Sequence, residues 1–269
     1  MKYWFTALCL SLLASCGGGD KPAIYDISAA NLSYGNPAVF LIQGNFAGSQ
    51  GWKADIPDCT SQSVVSSTAT NFAIRCNVAV SGDMPVRVMN AAGEVVFAKV
   101  LIVPAPQVSF DTARGRIVAE LYPNAAPVTV NNFLGYVMSG FYTNTLFHRV
   151  IPNFVIQGGG FATGLIPQKG EGEPIVLESG KGLSNVRGTL AMARTSDPNS
   201  ATSQFYFNLK DNTSLDYESP DNPGYAVFGK IVEGLDVMDA IATVQTSVQL
   251  GQPDVPVDEV LVKSVTRIK

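Results

Sequence analysis

From residue 23 onward this chain consists of short apolar runs cut apart by turn residues, and a helical period surfaces only twice. Such a pattern points to a mainly β protein. Before residue 104 the runs are 38–42, 72–78, 86–89 and 95–100. Asn36-Pro37, Gly44-Asn45, Ser81-Gly82-Asp83 and Ala92-Gly93 punctuate them. Short strands at this spacing predict a small antiparallel β-sandwich over residues 23–103. Pro104-Ala105-Pro106 then breaks the pattern, because proline offers no sheet donor and stiffens the chain. We therefore expect a linker over 104–106 and a second domain over 107–269.

The second domain opens with a hairpin pattern, in which runs 107–111 and 115–121 flank a turn. Val130, Phe133, Leu134 and Val137 recur at helical spacing and predict one helix over about 128–137. A second helical run lies around 237–242, after the 229–234 segment. Hydrophobic residues make up 46% and charged residues 15%, which favours packed cores over disorder. With a net charge of -4 and no cluster of Lys or Arg, nucleic acid is excluded as an expected partner.

The first residues read as a targeting segment. Lys2 precedes an apolar run over 3–13, too short to cross a bilayer as a helix. Leu13-Ala14-Ser15-Cys16 resembles the bacterial lipobox. That resemblance implies a signal peptide over 1–15, lipid on Cys16 and a tether over 16–22 that carries Gly17-Gly18-Gly19-Asp20. Gly17 after the cysteine, in place of an aspartate, implies the outer membrane and a site facing the periplasm. An ordinary secretory signal remains the alternative. Cys9 lies in the removed segment, which leaves Cys59 and Cys76 as an even pair in an oxidising compartment. A disulfide is their expected use. A metal site competes poorly, since the single histidine, His148, lies in the other domain.

Chemistry concentrates in Phe147-His148-Arg149-Val150-Ile151-Pro152-Asn153-Phe154-Val155-Ile156-Gln157-Gly158-Gly159-Gly160. The run brings together an arginine, an aromatic ring and an amide, with no acid, thiol or second histidine. Arg149 stays protonated and cannot act as a base. A site of this kind works by positioning and electrostatics, on a substrate in which no bond is cleaved. His148 with Ser203 would be a hydrolase pair, but no Gly-x-Ser-x-Gly turn surrounds any serine and Arg149 disfavours a charged imidazole. We expect His148 to be structural and hydrogen-bonded within the fold. The glycines lack the Lys-Ser/Thr of a phosphate loop and are expected to form a turn passing close to another strand.

Two further blocks extend the run: Arg187-Gly188-Thr189-Leu190-Ala191-Met192-Ala193-Arg194 with Ser203-Gln204-Phe205-Tyr206-Phe207-Asn208, and Gly224-Tyr225-Ala226-Val227-Phe228-Gly229-Lys230. Together the blocks resemble the signature of the cyclophilins, the peptidyl-prolyl cis-trans isomerases, and the resemblance covers nearly all of 107–269. It implies a closed eight-stranded antiparallel β-barrel capped by two helices, with the site on the outer wall. Arg149 matches the catalytic residue. Phe154, Val155, Tyr206 and Leu215 match the apolar proline pocket, and Tyr225 stands where other members carry a histidine. Gln157 and Gln204 match amides that position the peptide and hold the arginine. Ala193 and Arg194 match an edge that bonds the substrate main chain. Ser214 replaces a tryptophan of eukaryotic members, which implies weak cyclosporin binding. The resemblance implies proline-containing polypeptide clients and no cofactor, and we expect a monomer. In the first domain, Tyr34-Gly35, Gly44, Cys59 and Cys76 follow an order similar to immunoglobulin-like surface domains. The competing readings are a peptide-binding chaperone and an envelope scaffold with incidental or no isomerase activity.

Overall fold

The computed structural model describes residues 23–46 and 51–269. The expected signal peptide, the tether and Cys16 lie outside the described residues. The first part of the chain forms β1 (Ala23–Ala30), β2 (Pro37–Asn45), β3 (Lys53–Asp55), β4 (Cys59–Ser67), β5 (Asn71–Val78), β6 (Gly82–Met89) and β7 (Val95–Val103). They make a four-stranded sheet in the order β1-β2-β5-β4 and a three-stranded sheet in the order β3-β6-β7. Period-two alternation sends Ala38, Phe40 and Ile42 of β2 inward, and Met84, Val86 and Val88 of β6 inward from the other sheet. The apolar run at 38–42 is longer than expected, since Gly44 and Asn45 continue β2 by pairing with β1. No run announced β4, because this edge strand is exposed along nearly all its length and has no inward face to pattern.

Cys59 and Cys76 are disulfide-bonded, with Cα atoms 5.6 Å apart and a sequence separation of 17. The bond joins the neighbouring strands β4 and β5 of one sheet rather than bridging the two sheets. Closing a loop of this length is worth about 3 kcal/mol on a chain-entropy estimate. Reduction is therefore expected to destabilise the sandwich by about that amount. Urea unfolding followed by Trp52 fluorescence, with and without reductant, measures it in protein lacking residues 1–15; coincident curves would contradict it.

The rest of the chain supplies β8 (Gln107–Thr112), β9 (Gly115–Leu121), β10 (Thr145–Ile151), β11 (Val155–Ala162), β12 (Ile166–Pro167), β13 (Thr189–Met192), β14 (Phe205–Asn208), β15 (Val227–Glu233), β16 (Thr246–Gln249), β17 (Gln252–Pro256) and β18 (Leu261–Arg267). The order β10-β18-β8-β9-β15-β13-β14-β11 closes through a second pairing of β11 with β10, giving an eight-stranded antiparallel barrel. β12 adds to β11, and β16 with β17 forms a separate hairpin. Helix α1 (Pro127–Met138) opens on a proline whose missing N–H is no loss there. Its next two N–H groups, on Val128 and Thr129, donate to the Glu178 carboxylate at 3.1 and 2.8 Å. The predicted face of Val130, Phe133, Leu134 and Val137 is buried. Phe133 meets Phe228 and Phe205 with ring centroids 5.1 and 5.7 Å apart. Helix α2 (Leu235–Ala242) buries Met238 and Ile241 in the same core. Phe110, Phe147, Phe205 and Phe207 fill the interior, so no lumen is left for a ligand.

Gly158, Gly159 and Gly160 do not form a turn; they lie inside β11. Close approach explains them. A Cβ on Gly158 would sit 2.9 Å from the Phe147 ring, and one on Gly160 would sit 2.6 Å from Gln204 Cδ. Gly159 also has a φ of +86°.

The two parts of the chain touch. Tyr34, from the β1–β2 connection, is buried in the barrel core cluster and donates to Asn131 Oδ1 of α1 at 2.9 Å. Arg267 Nη2 donates to the Tyr34 carbonyl at 2.6 Å. Asn124 and the Ser81 backbone exchange two bonds, at 3.0 and 2.8 Å. The proline-rich connection at 104–106 is therefore not the sole tie between the two parts.

Candidate active site

Strand register assembles the site. Arg149 on β10 pairs with Gln157 on β11, Gln157 with Tyr206 on β14, and Tyr206 with Ala191 on β13. A register shift in β10 between Phe147 and Arg149 puts Phe147 and Val150 in the core while Arg149 faces outward. Phe154 sits in the tight β10–β11 connection, where Asn153 takes a φ of +58°. Val155, Ala191, Tyr206 and Val227 form a small apolar cluster outside the barrel, against which Phe154, Ala193, Leu215 and Tyr225 pack.

A pocket of about 130 Å³ opens on this wall, lined by Arg149, Phe154, Val155, Gln157, Ala193, Arg194, Tyr206, Leu215 and Tyr225. Gln204 lies beside it. It accepts a 2.9 Å bond from Gln157 Nε2 and lines a neighbouring cavity of about 440 Å³ that shares Gln157, Ala193 and Arg194. Ser214 is exposed on the turn Thr213–Leu215.

The two arginines differ in what they are free to do. Arg194 donates Nε and Nη2 to the Gly224 carbonyl at 3.1 and 2.9 Å and Nη1 to Thr195 at 2.8 Å. Its Cζ lies 4.5 Å from the Tyr225 ring centroid, in cation–π range. These contacts build Arg194 into the wall. The Arg149 guanidinium makes an ionic contact with Asp254 and no hydrogen bond among the described residues; Gln157 and Gln204, expected to hold it, bond each other instead. The Arg149 donors are available to a ligand.

Behind the groove lies a polar network that the sequence did not announce. Asn185 is fully buried. Its Oδ1 accepts from the Tyr206 hydroxyl at 2.8 Å and from Asn208 Nδ2 at 3.2 Å. Its Nδ2 donates to Asp216 Oδ1 at 2.9 Å and to the Leu215 carbonyl at 3.1 Å. Asn212 Nδ2 donates to Asn208 Oδ1 at 2.8 Å and to the Phe154 carbonyl at 2.9 Å. Three pocket walls thus share one network. Burial works to raise the Asp216 carboxyl, but hydrogen bonds from Ser184 and Asn185 outweigh it and hold the group below its ordinary value. Asn208 and Asn212 adjoin the Tyr206 block in sequence, a slight signal; nothing local marks Asn185.

His148 is buried against Phe161, with ring centroids 4.7 Å apart. The expectation of a hydrogen-bonded histidine is met in part: the Leu146 backbone and the Gln204 side chain bond the imidazole, while Nδ1 has no partner among the described residues. Burial lowers the imidazole from 6.5 to about 4, and the charge of Arg149 acts in the same direction. The folded value lies below the unfolded one, so the unfolded chain takes up the proton first as pH falls. The stabilisation is complete above about 6.5 and lost on the way down to about 4, in total about 3 kcal/mol. His148 is the one histidine of the chain, so His148→Gln should flatten that part of the stability–pH curve. Urea unfolding of both proteins at pH 7 and 4.5 measures the difference, and parallel curves would contradict it.

The fold and site define a class: a closed, filled eight-stranded barrel that carries on its outer wall an apolar pocket lined by one arginine. Comparison with known proteins gives the same class. Residues 107–267 match the family model described as cyclophilin type peptidyl-prolyl cis-trans isomerase/CLD. The chain is 52% identical over 158 residues to the peptidyl-prolyl cis-trans isomerase of Acinetobacter baylyi, covering 59% of this chain and 83% of the relative. It is 50% identical over 161 residues to peptidyl-prolyl cis-trans isomerase B of Escherichia coli, covering 59% and 98%. A crystal structure of a Cryptosporidium parvum cyclophilin type isomerase superposes with a TM-score of 0.53 at 29% identity, over 61% of this chain and 98% of that one. The chain belongs to the cyclophilin type peptidyl-prolyl cis-trans isomerase family.

Proposed function

We propose that this protein accelerates X-Pro rotation in polypeptide clients of a bacterial cell envelope, with Arg149 as its catalytic residue. The single observation that carries the reading is the Arg149–Gln157–Tyr206 row across three paired strands, beside an apolar pocket. In the planar amide the prolyl nitrogen lone pair is delocalised into the carbonyl, and rotation costs about 20 kcal/mol. In the twisted state that lone pair is localised and can accept a hydrogen bond. A donor aimed at the nitrogen then binds the twisted state better than either planar one, which is what lowers a barrier. Phe154, Val155, Tyr206 and Leu215 hold the prolyl ring. Gln157, Gln204 and the edge at Ala193 and Arg194 hold the peptide main chain.

Residues 107–269 carry this activity as one domain, and residues 23–103 form a separate immunoglobulin-like domain joined through 104–106. The four-plus-three strand order supports that reading, since seven-stranded immunoglobulin sandwiches use the same order. The Leu13-Ala14-Ser15-Cys16 sequence supports removal of 1–15 and lipid attachment at Cys16, with a tether over 16–22 holding a monomer on the periplasmic side of the outer membrane. A protease-coupled isomerisation assay on protein lacking residues 1–15 tests the activity: catalysed cis-to-trans conversion of an X-Pro peptide is expected, and an uncatalysed rate would overturn it. Mass spectrometry of the membrane-extracted N-terminus tests the anchor. An acylated Cys16 is expected, and an unmodified one would remove it.

A further inference from the structure

Arg149 has one ionic partner among the described residues, with Asp254 Oδ2 lying 3.7 Å from its Nε. Asp254 stands in the middle of β17 with a φ of +61°. That backbone region is costly for most residues and tolerated best by Gly, Asn and Asp. Its neighbours Val255 and Pro256 are buried. With Phe147 and His148 of β10 they wall a cavity of about 100 Å³, so the β16–β17 hairpin is seated beside the strand that carries Arg149. Contact on the Nε edge leaves the terminal Nη groups to the pocket, which Arg149 lines. Both side chains are partly exposed, 39% for Arg149 and 37% for Asp254, so the pair does little for overall stability. Its value lies in orientation. Arg194 is fixed by three hydrogen bonds and a ring; among the described residues, Asp254 is the one side chain in ionic contact with the Arg149 guanidinium.

We propose that Asp254 is a positioning residue for isomerisation. A left-handed residue in the hairpin fixes its carboxylate, which holds the Arg149 guanidinium by the Nε edge with the Nη donors in the groove. Asp254 touches no substrate atom. The proposal rests on Arg149 being the donor to the prolyl nitrogen.

Asp254→Asn is the informative variant, because asparagine keeps the backbone conformation and the shape while removing the charge. It should lower kcat roughly three- to thirty-fold with KM nearly unchanged and an unchanged melting temperature, as expected when a catalytic group loses its orientation. Asp254→Glu keeps the charge but strains the left-handed position and lengthens the side chain, so it should recover only part of the rate. The NMR resonance of Arg149 Nε–Hε should shift in Asp254→Asn while that of Arg194 stays. In an Arg149→Ala background, Asp254→Asn should cause no further loss. Full activity of Asp254→Asn, alongside an impaired Arg149→Ala, would overturn the role of Asp254 and leave that of Arg149 standing. An equal loss in both backgrounds would overturn it too, since Asp254 would then act through another group. A fully active Arg149→Ala would overturn the underlying reading of Arg149, and this proposal with it.

Discussion

Arg149→Ala is expected to lower kcat/KM for prolyl isomerisation by ten- to a thousand-fold, or roughly 1.4 to 4 kcal/mol of transition-state stabilisation. The size follows from what replaces the guanidinium. On the proposed reading, the prolyl nitrogen of the twisted state would then meet water or nothing, while the apolar pocket and the amides of Gln157 and Gln204 would still hold the peptide. Binding should therefore weaken much less than turnover. The fold should be untouched, because the Arg149 side chain is partly exposed, makes no hydrogen bond among the described residues and leaves the core at Phe147 and Val150 intact. Arg194 cannot substitute for it, since its donors are committed to Gly224 and Thr195. Steady-state kinetics beside a thermal melt measure this. An active variant with an unchanged melt would remove the electrostatic account.

The second large effect is expected at Asn185→Ala, which should destabilise the protein by about 4 kcal/mol. Its amide serves the Tyr206 hydroxyl, the Asn208 amide, the Asp216 carboxylate and the Leu215 carbonyl. Removing it leaves the buried Tyr206 hydroxyl without its acceptor and the buried Asn208 amide with Thr189 alone, while a cavity opens at a fully buried site; each stranded buried group costs about 1 to 3 kcal/mol, though not additively. Activity should fall as well, because Tyr206 and Leu215 lose their mooring. Asn185→Asp separates hydrogen bonding from volume. It keeps the size but sets a carboxylate against Asp216, and should also destabilise. Denaturant unfolding gives the answer, and an Asn185→Asp variant as stable as the parent would show that the network carries no such weight.

Helix α1 was legible in the sequence because its buried face recurs at helical spacing, and β2 because it is an unbroken apolar run, though which of its residues face inward was not. Arg149, Phe154 and Gln157 were legible because one contiguous run carries all three. Other features are set by residues far apart in the chain. Nothing near Asp254 points to Arg149, and nothing near Asn185 points to Tyr206; folding alone brings them together. Tyr34 read as part of the first domain's pattern, yet its ring lies in the barrel core. Gly158, Gly159 and Gly160 suggested a turn by composition, whereas their real constraint is the proximity of Phe147 and Gln204. β4 went unseen because a serine-rich edge strand with no buried face carries no alternation.

The most direct test of the central claim separates gripping a prolyl peptide from turning it. Exchange NMR on an unmodified X-Pro peptide, with parent protein and Arg149→Ala at matched occupancy, reads cis–trans exchange and binding in one experiment. The account predicts fast exchange on the parent protein, and on Arg149→Ala a peptide that still binds but exchanges ten- to a thousand-fold more slowly, roughly as the lost donor requires. Undiminished exchange on bound Arg149→Ala would contradict it.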